Sequence, residues 1–185
     1  MPLPRREEHY TYADYAAWDT EERYELIDGV PYLMSPAPRT KHQRITGRLY
    51  SEFDFFLRGK TCEVFIAPFD VRLNADTYDD IVVQPDITII CDKSKIDDMG
   101  CKGVPDMVVE VLSPSSARYD KVLKFDVYLK AGVREYWIVD PDSETISVHI
   151  LQDGEYAVKA YGENDTIPVR VLEGCKIETQ AIFSE

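Results

Sequence analysis

One carboxylate, Glu110, stands in the middle of an apolar run, residues 107–112, that predicts a β-strand covered on both faces. A buried carboxylate is costly unless it is paired, hydrogen-bonded or bound to a metal ion, so Glu110 is a candidate functional residue. Asp86 follows Pro85 near the start of another predicted strand and is the second candidate. Because neighbouring strands lie about 4.8 Å apart, the two carboxylates can lie side by side and bind Mg²⁺ with water and phosphate oxygens.

A third candidate lies on the helix predicted over residues 117–131. Asp120, Lys124 and Tyr128 recur at every fourth position and therefore share one helix face. Two interpretations of Lys124 are open. It forms either an ordinary Asp–Lys helix pair, worth about 0.3–0.5 kcal/mol, or an ammonium group that positions an attacking water and stabilises charge developing on a phosphate.

A second Pro-Asp pair, Pro105 with Asp106, competes with Asp86 for the metal. Asp106 lies four residues before Glu110 on the same predicted strand, which is about 13 Å at 3.3 Å per residue. That distance is too long for a compact metal site, so Asp106 is assigned to the start of the strand.

Two further polar residues precede these strands. His42 lies on the apolar face of a predicted helix, where it is either a hydrogen-bonded core histidine or a contact to phosphate or to a ligand carboxylate at the mouth of the site. Glu25 is either an additional acid of the site or a surface strand residue beside Arg23.

The elements that position these residues alternate between helices and strands. Hydrophobic periodicity predicts helices over residues 11–18, 40–58 and 117–131, and strands over 61–66, 69–73, 81–91, 107–112, 134–139, 145–150, 155–161 and 165–172. Asp28 with Gly29 predicts a hairpin turn. Tyr136 and Trp137 are predicted to lie in the core. One α/β domain with a mixed sheet, spanning residues 1–185 with a core at about 10–183, is consistent with this order.

The composition limits the possible partners. The 185 residues include 21 Lys and Arg against 34 Asp and Glu, which gives a net charge of −13. That charge argues against a general nucleic-acid coat or a binder of anionic membranes, because both need a cationic surface. We expect a cytoplasmic protein with no membrane partner, since we recognise no signal peptide and no apolar run of about 18 residues. The four cysteines, at positions 62, 91, 101 and 175, are expected to stay reduced.

The central stretch resembles a known family. It resembles the Uma-two family of restriction-endonuclease-like proteins in the PD-(D/E)xK nuclease superfamily. The resemblance lies in residues 105–116, in Asp120, Lys124 and Tyr128, and in residues 132–141. Residues 25–29 and His42 fit the early pattern of that family, so the resemblance covers roughly residues 10–183. It implies a restriction-endonuclease-like core, a central mixed β-sheet flanked by helices, and a homodimer.

The resemblance also implies a site. Asp86 and Glu110 would bind Mg²⁺ or Mn²⁺, with the backbone carbonyl of Val111 as a further ligand. The superfamily places a lysine two residues after the glutamate, but Leu112 stands there in this sequence. Members of the superfamily with a displaced lysine point to Lys124 on the next helix, and Lys121 is the alternative on a different helix face.

Two function hypotheses follow. The first is a metal-dependent DNA endonuclease that hydrolyses phosphodiester bonds and contacts DNA weakly and locally. The second is a catalytically weak or inactive nuclease-fold protein with a binding or regulatory role, which the charge of −13 and the missing strand lysine favour. A serine hydrolase is disfavoured because no G-x-S-x-G turn surrounds Ser113, Ser115 or Ser116.

Overall fold

The computed structural model describes residues 8–34, 38–113 and 123–184. In this part of the chain the α-helices are α1 (Tyr12–Ala16), α2 (Thr40–Leu57), α3 (Phe125–Ala131) and α4 (Thr179–Phe183). A short 3₁₀ helix covers Lys93–Lys95. None of the described helices is long and apolar enough to cross a membrane.

The strands of the described ranges are short, with two to eight residues each. They are β1 (Tyr24–Ile27), β2 (Val30–Leu33), β3 (Glu63–Ile66), β4 (Val71–Arg72), β5 (Val82–Val83), β6 (Ile87–Ile90), β7 (Ile96–Asp97), β8 (Gly100–Lys102), β9 (Met107–Val111), β10 (Glu135–Asp140), β11 (Thr145–Gln152), β12 (Glu155–Tyr161), β13 (Thr166–Pro168) and β14 (Lys176–Glu178).

The strands form two six-stranded sheets and one small hairpin. The first sheet has the order β2-β1-β5-β4-β8-β7, the second has the order β12-β11-β10-β9-β6-β3, and β13 pairs with β14. Each large sheet contains one parallel pair, β4–β8 or β9–β10, among antiparallel neighbours. The predicted α/β class with mixed β-structure flanked by helices is therefore confirmed, with the strands divided between two sheets.

The division arises inside the segment predicted as one strand over residues 81–91. Gln84, Pro85 and Asp86 interrupt it, so that β5 belongs to the first sheet and β6 to the second. Proline has no backbone N–H and cannot donate to a continuous ladder, which gives the break a physical cause. The three residues connect the two sheets directly.

Strand β9 lies at the centre of the second sheet, and all five of its residues are buried. Its odd-numbered residues, such as Val109, join the core that includes Ile45 of α2, whereas Val108 joins the core that includes Tyr128 of α3. Alternation along the strand therefore places Glu110 on the same face as Val108 and Leu112.

A second buried carboxylate, Glu135 on β10, has a structural role. Its carboxylate accepts hydrogen bonds from Trp137 Nε1 at 2.8 Å and from the backbone N–H of Val171 at 2.9 Å. Burial raises the pKa of Glu135, although these donors oppose the shift. Glu135 thereby holds the segment before β14 against the sheet, and Trp137 lies fully buried in the core as predicted.

Five short elements differ from the sequence-based expectation. Residues 92–102, for which no helix or strand was predicted, contain the 3₁₀ helix and the strands β7 and β8. Strand β14 and helix α4 were not predicted, because segments of three and five residues carry too little periodicity. The helix predicted over residues 117–131 is described only from Leu123, where a wider π-type turn leads into α3.

The cysteine prediction was wrong for one pair. Cys62 and Cys91 form a disulfide, whereas Cys101 and Cys175 are buried thiols. The antiparallel register of β3 and β6 pairs Glu63 with Ile90, and one further step brings the two cysteines opposite each other. This proximity depends on a strand pairing that no spacing in the sequence reveals.

Gly100 provides a test of how closely the first sheet is packed. Its φ is +139°, and an added Cβ would overlap the backbone carbonyl oxygen of Asp70. Gly59 serves as a matched control because its φ is +76° and its added Cβ would contact nothing within 4 Å.

We expect Gly59→Ala to lower the free energy of unfolding by about 1 kcal/mol through backbone strain only. Gly100→Ala should lower it by about 3 kcal/mol or more, because strain adds to displacement of the Asp70 backbone. Urea unfolding of the two variants measures the difference, and equal losses would contradict the close packing.

Candidate active site

The candidate site lies between the two sheets and centres on the Lys124 ammonium group. Lys124 Nζ is 2.8 Å from Glu110 Oε1 on β9 and 2.9 Å from Glu25 Oε1 on β1. Each of the three residues is at most 3% exposed. Lys124 therefore joins a carboxylate of the first sheet to a carboxylate of the second sheet in a water-poor environment.

Tyr128 on α3 also contacts Glu110. Its hydroxyl donates a hydrogen bond of 2.7 Å to Glu110 Oε1, the oxygen that also contacts Lys124. Burial raises the pKa of Tyr128 well above its ordinary value, and the negative charges of Glu110 and Glu25 raise it further. Tyr128 is thus a protonated donor at any physiological pH.

Asp86 lies beside this cluster at the start of β6. The register that pairs Ile87 with Val109 places Asp86 opposite Glu110 when it is continued by one residue. Asp86 Oδ2 accepts a hydrogen bond of 2.8 Å from the backbone N–H of Val111. Its side chain is 20% exposed, and its Oδ1 has no hydrogen-bond partner in the part of the chain that the structure describes. This carboxylate is the more accessible of the two acids.

His42 contacts Asp86 from the first turn of α2. Its Nε2 lies 3.3 Å from Asp86 Oδ2. The hydroxyl of Thr46, one turn later, donates to the backbone carbonyl of His42 and lies 3.4 Å from its Nδ1. His42 is 8% exposed. It is therefore a buried, hydrogen-bonded histidine that also contacts a carboxylate of the site, so it combines features of both interpretations.

A polar network around Gln84 contacts Glu25. The backbone N–H of Gln84 donates to Glu25 Oε1 at 2.8 Å, and its side-chain oxygen accepts a hydrogen bond from Arg23 Nε at 3.1 Å. The Gln84 amide nitrogen donates to Asp70 Oδ1 at 2.7 Å and to the Tyr15 hydroxyl at 3.1 Å. Burial raises the pKa of Asp70.

Sequence reasoning missed Gln84, Asp70 and Tyr15. The one signal in the sequence was the position of Gln84, which is a polar residue between two buried valines and Pro85. Asp70 and Tyr15 gave no signal, because the network joins residues that are 14 and 69 positions from Gln84.

The structure brings most of the sequence-predicted residues together. Glu25, Glu110, Lys124 and Tyr128 form one cluster, and Asp86 and His42 adjoin it through the backbone of Val111. The alternative that Glu25 is a surface strand residue was wrong, since Glu25 is buried. Asp120 and Lys121 lie outside the described residues.

Asp106 lies elsewhere, as its assignment to the start of β9 requires. It accepts hydrogen bonds from Arg134 at 2.6 Å and from the backbone N–H of Cys91 at 2.7 Å. Neither partner belongs to the candidate site. Asp106 therefore serves as a structural counterpart of Asp86 in the same Pro-Asp context.

The donor set is compatible with a hard divalent cation. Asp86 and Glu110 supply carboxylate oxygens, and Val111 can add a carbonyl oxygen, which are the ligand types that Mg²⁺ and Mn²⁺ prefer. Thr88, on the same strand face as Asp86, is buried, and its hydroxyl has no partner within the described ranges. No group of three or more His, Cys, Asp or Glu residues that could hold a metal is found there either. Any bound ion would thus be coordinated by two carboxylates, a backbone oxygen and water.

The chain shares its fold with a solved structure. The crystal structure of a "putative nuclease belonging to DUF820" from Anabaena variabilis superposes with a TM-score of 0.76, at 21% identity, over 95% of this chain and 98% of the other. An uncharacterised Synechocystis protein, slr1290, is 28% identical over 164 residues, which are 86% of this chain and 84% of that relative.

The chain belongs to the Uma2 family, described as "Putative restriction endonuclease", whose family model matches residues 12–180. The resemblance inferred from the motif between residues 105 and 141 is therefore confirmed. The family model covers nearly all of the expected range of residues 10–183.

We expect Lys124→Met to lower the free energy of unfolding by about 3–5 kcal/mol, because it leaves Glu110 and Glu25 buried without their cation. Lys130→Met is the control, since Lys130 is an exposed residue of the same helix. Urea unfolding measures both variants.

The double variant Lys124→Met/Glu25→Gln should recover part of the loss, because one uncompensated carboxylate is removed. Equal stability of Lys124→Met and Lys130→Met would show that the buried ion pairs do not hold the two sheets together.

Proposed function

We propose that this protein is a metal-dependent endonuclease that hydrolyses phosphodiester bonds in DNA. The observation that carries the proposal is the placement of Lys124 on Glu110, directly beside the partly exposed Asp86. A cation and two carboxylates at adjoining strand positions are the components that hydrolysis of a phosphodiester requires. Membership in the Uma2 family supports the same chemistry.

Asp86, Glu110 and the carbonyl of Val111 would hold Mg²⁺ or Mn²⁺. Such an ion supplies a Lewis acid for the phosphate and lowers the pKa of bound water. The formal charges support this role. Asp86, Glu110 and Glu25 carry three negative charges against the one positive charge of Lys124, which leaves −2 when His42 is neutral. A divalent cation would offset that remainder.

The other residues then have separate roles. Lys124 orients the attacking water and stabilises negative charge on the phosphate through its ammonium protons. Tyr128 fixes the Glu110 carboxylate by a hydrogen bond, and His42 fixes Asp86. Glu25, held by the Gln84 N–H, anchors the lysine on its other side.

A second candidate function is a nuclease fold retained for binding or regulation without cleavage. The observation that favours it is the burial of Lys124, which is 3% exposed and contacts two carboxylates. In this state the ammonium group is turned toward protein partners. Cleavage and metal-binding measurements distinguish the two candidates.

We expect the wild type to nick supercoiled plasmid DNA with Mg²⁺ or Mn²⁺ and to lose this activity in EDTA. Glu110→Gln and Asp86→Asn should each lower the rate by at least about 10²-fold, because each removes a charged ligand at the reacting phosphate. Gel quantification of nicked product measures the rates.

Asp106→Asn is the matched control, since Asp106 also follows a proline at a strand start but contacts Arg134 and the Cys91 backbone. It should retain wild-type cleavage. The absence of metal-dependent cleavage by the wild type across supercoiled, linear and single-stranded DNA would overturn the endonuclease proposal.

Metal binding is tested without reference to activity. Calorimetric titration of the wild type with Mn²⁺ should give one site, which Asp86→Asn should abolish and Asp106→Asn should leave unchanged. Equal Mn²⁺ affinity of the wild type and Asp86→Asn would show that the metal is held elsewhere.

A further inference from the structure

The cations of this acidic protein are unevenly distributed. Between Asp28 and Glu52 the sequence contains no Asp or Glu, although the whole chain carries 34. The same 23 residues contain four cations, which are Arg39, Lys41, Arg44 and Arg48. We call these four residues the α2 cationic face.

The face lies along the outer side of the N-terminal half of α2. Arg39 immediately precedes the helix, and Arg39, Lys41 and Arg44 are exposed. Ile45 and Leu49 of the same helix are buried in the core. From Arg39 to Arg48 the face spans nine residues, or about 14 Å of helix.

Two of these cations are available to a ligand. Arg39 and Arg44 have no side-chain hydrogen bond or ion pair within the described ranges. Lys41 contacts Glu144 at 3.1 Å, but both side chains are about half exposed, so the pair is weak and replaceable. Arg48 is engaged with the backbone carbonyls of Ile182 and Ser184 at the end of α4.

Five other cations of the described residues form local ion pairs. Ion pairs within 3.2 Å connect Arg58 to Asp54, Arg72 to Asp79, Lys93 to Glu63, Lys102 to Asp76 and Arg134 to Asp106. The α2 cationic face instead combines two arginines that have no ion pair within the described ranges with a segment that itself has no acid.

The face begins at the candidate site. His42 lies between Lys41 and Arg44 in sequence, and its Nε2 is 3.3 Å from Asp86 Oδ2. The same helical turn therefore presents cations outward and contacts a proposed metal ligand inward. A polyanion held on the outer side would therefore lie against the same helical turn that contacts Asp86.

We propose that the α2 cationic face binds the phosphate backbone of duplex DNA next to the cleavage site. This inference rests on the proposed function and adds where the substrate is held. Arginine side chains contact phosphates without reading the base sequence, so the face positions the duplex. The net charge of −13 disfavours contact between DNA and the acidic parts of the surface.

The test is DNA binding by the variant Arg39→Gln/Arg44→Gln. Fluorescence anisotropy with a labelled duplex is recorded in EDTA over a series of salt concentrations, so that cleavage does not interfere. Each phosphate contact contributes about 0.9 to the slope of log affinity against log salt concentration, so the double variant should lose about 2 from the slope.

Lys102→Gln/Lys159→Gln is the matched control. It also removes two positive charges, here from exposed residues of β8 and β12. It should leave the slope near the wild-type value. Thermal unfolding confirms that both double variants fold, since none of the four side chains is buried.

Equal slopes for the two double variants would overturn the proposal, because the effect would then depend on net charge only. Absence of duplex binding by the wild type would also overturn it, and so would tighter binding of duplex RNA with the same loss of slope.

The outcomes separate this inference from the proposed function. If Arg39→Gln/Arg44→Gln cleaves DNA at the wild-type rate with an unchanged KM, the proposed DNA-binding role of the face is contradicted. The endonuclease proposal is not affected by that result. Duplex binding through the α2 cationic face without metal-dependent cleavage would support the proposed DNA-binding role of the face and contradict the endonuclease proposal.

Discussion

The structure depends on the contact of one buried ammonium group with two buried carboxylates. Lys124 joins Glu110 of the second sheet to Glu25 of the first, and all three are almost fully withdrawn from water. Removing charges from water costs several kcal/mol per ion, and only close pairing with further hydrogen bonds offsets that cost. The contact therefore requires the two sheets to meet at one relative position.

The hydrogen bonds around this contact follow from the same requirement. Tyr128 satisfies Glu110, and the backbone N–H of Gln84 satisfies Glu25. Gln84 in turn belongs to the short link through which the chain passes from the first sheet to the second. The link thus places Gln84 against Glu25 and, two residues later, Asp86 against the backbone of Val111.

Charge is arranged on two scales in this protein. At the candidate site, carboxylates outnumber the lysine, which suits a divalent cation. On the surface, the segment that contains the first half of α2 has cations and no acids. An acidic protein can bring a polyanion to an acidic site if its cations are gathered beside that site.

The sequence by itself determined the local features. The apolar run around Glu110 predicted a strand that is covered on both faces, and the apolar face on which His42 was placed is the buried side of α2. Asp28 and Gly29, both with positive φ, form the predicted turn between β1 and β2. Such features are predictable because they depend on periods of two to four residues and on backbone preferences.

Only the tertiary structure decided which of these elements meet. Lys124 lies 99 positions from Glu25, and His42 lies 44 positions from Asp86. The two-sheet division, the Cys62–Cys91 disulfide and the network of Gln84 likewise depend on strand register and on the packing of distant segments. Periodicity states which face of an element is buried. It does not state against what that face packs, because that choice is made by the free energy of the whole assembled core.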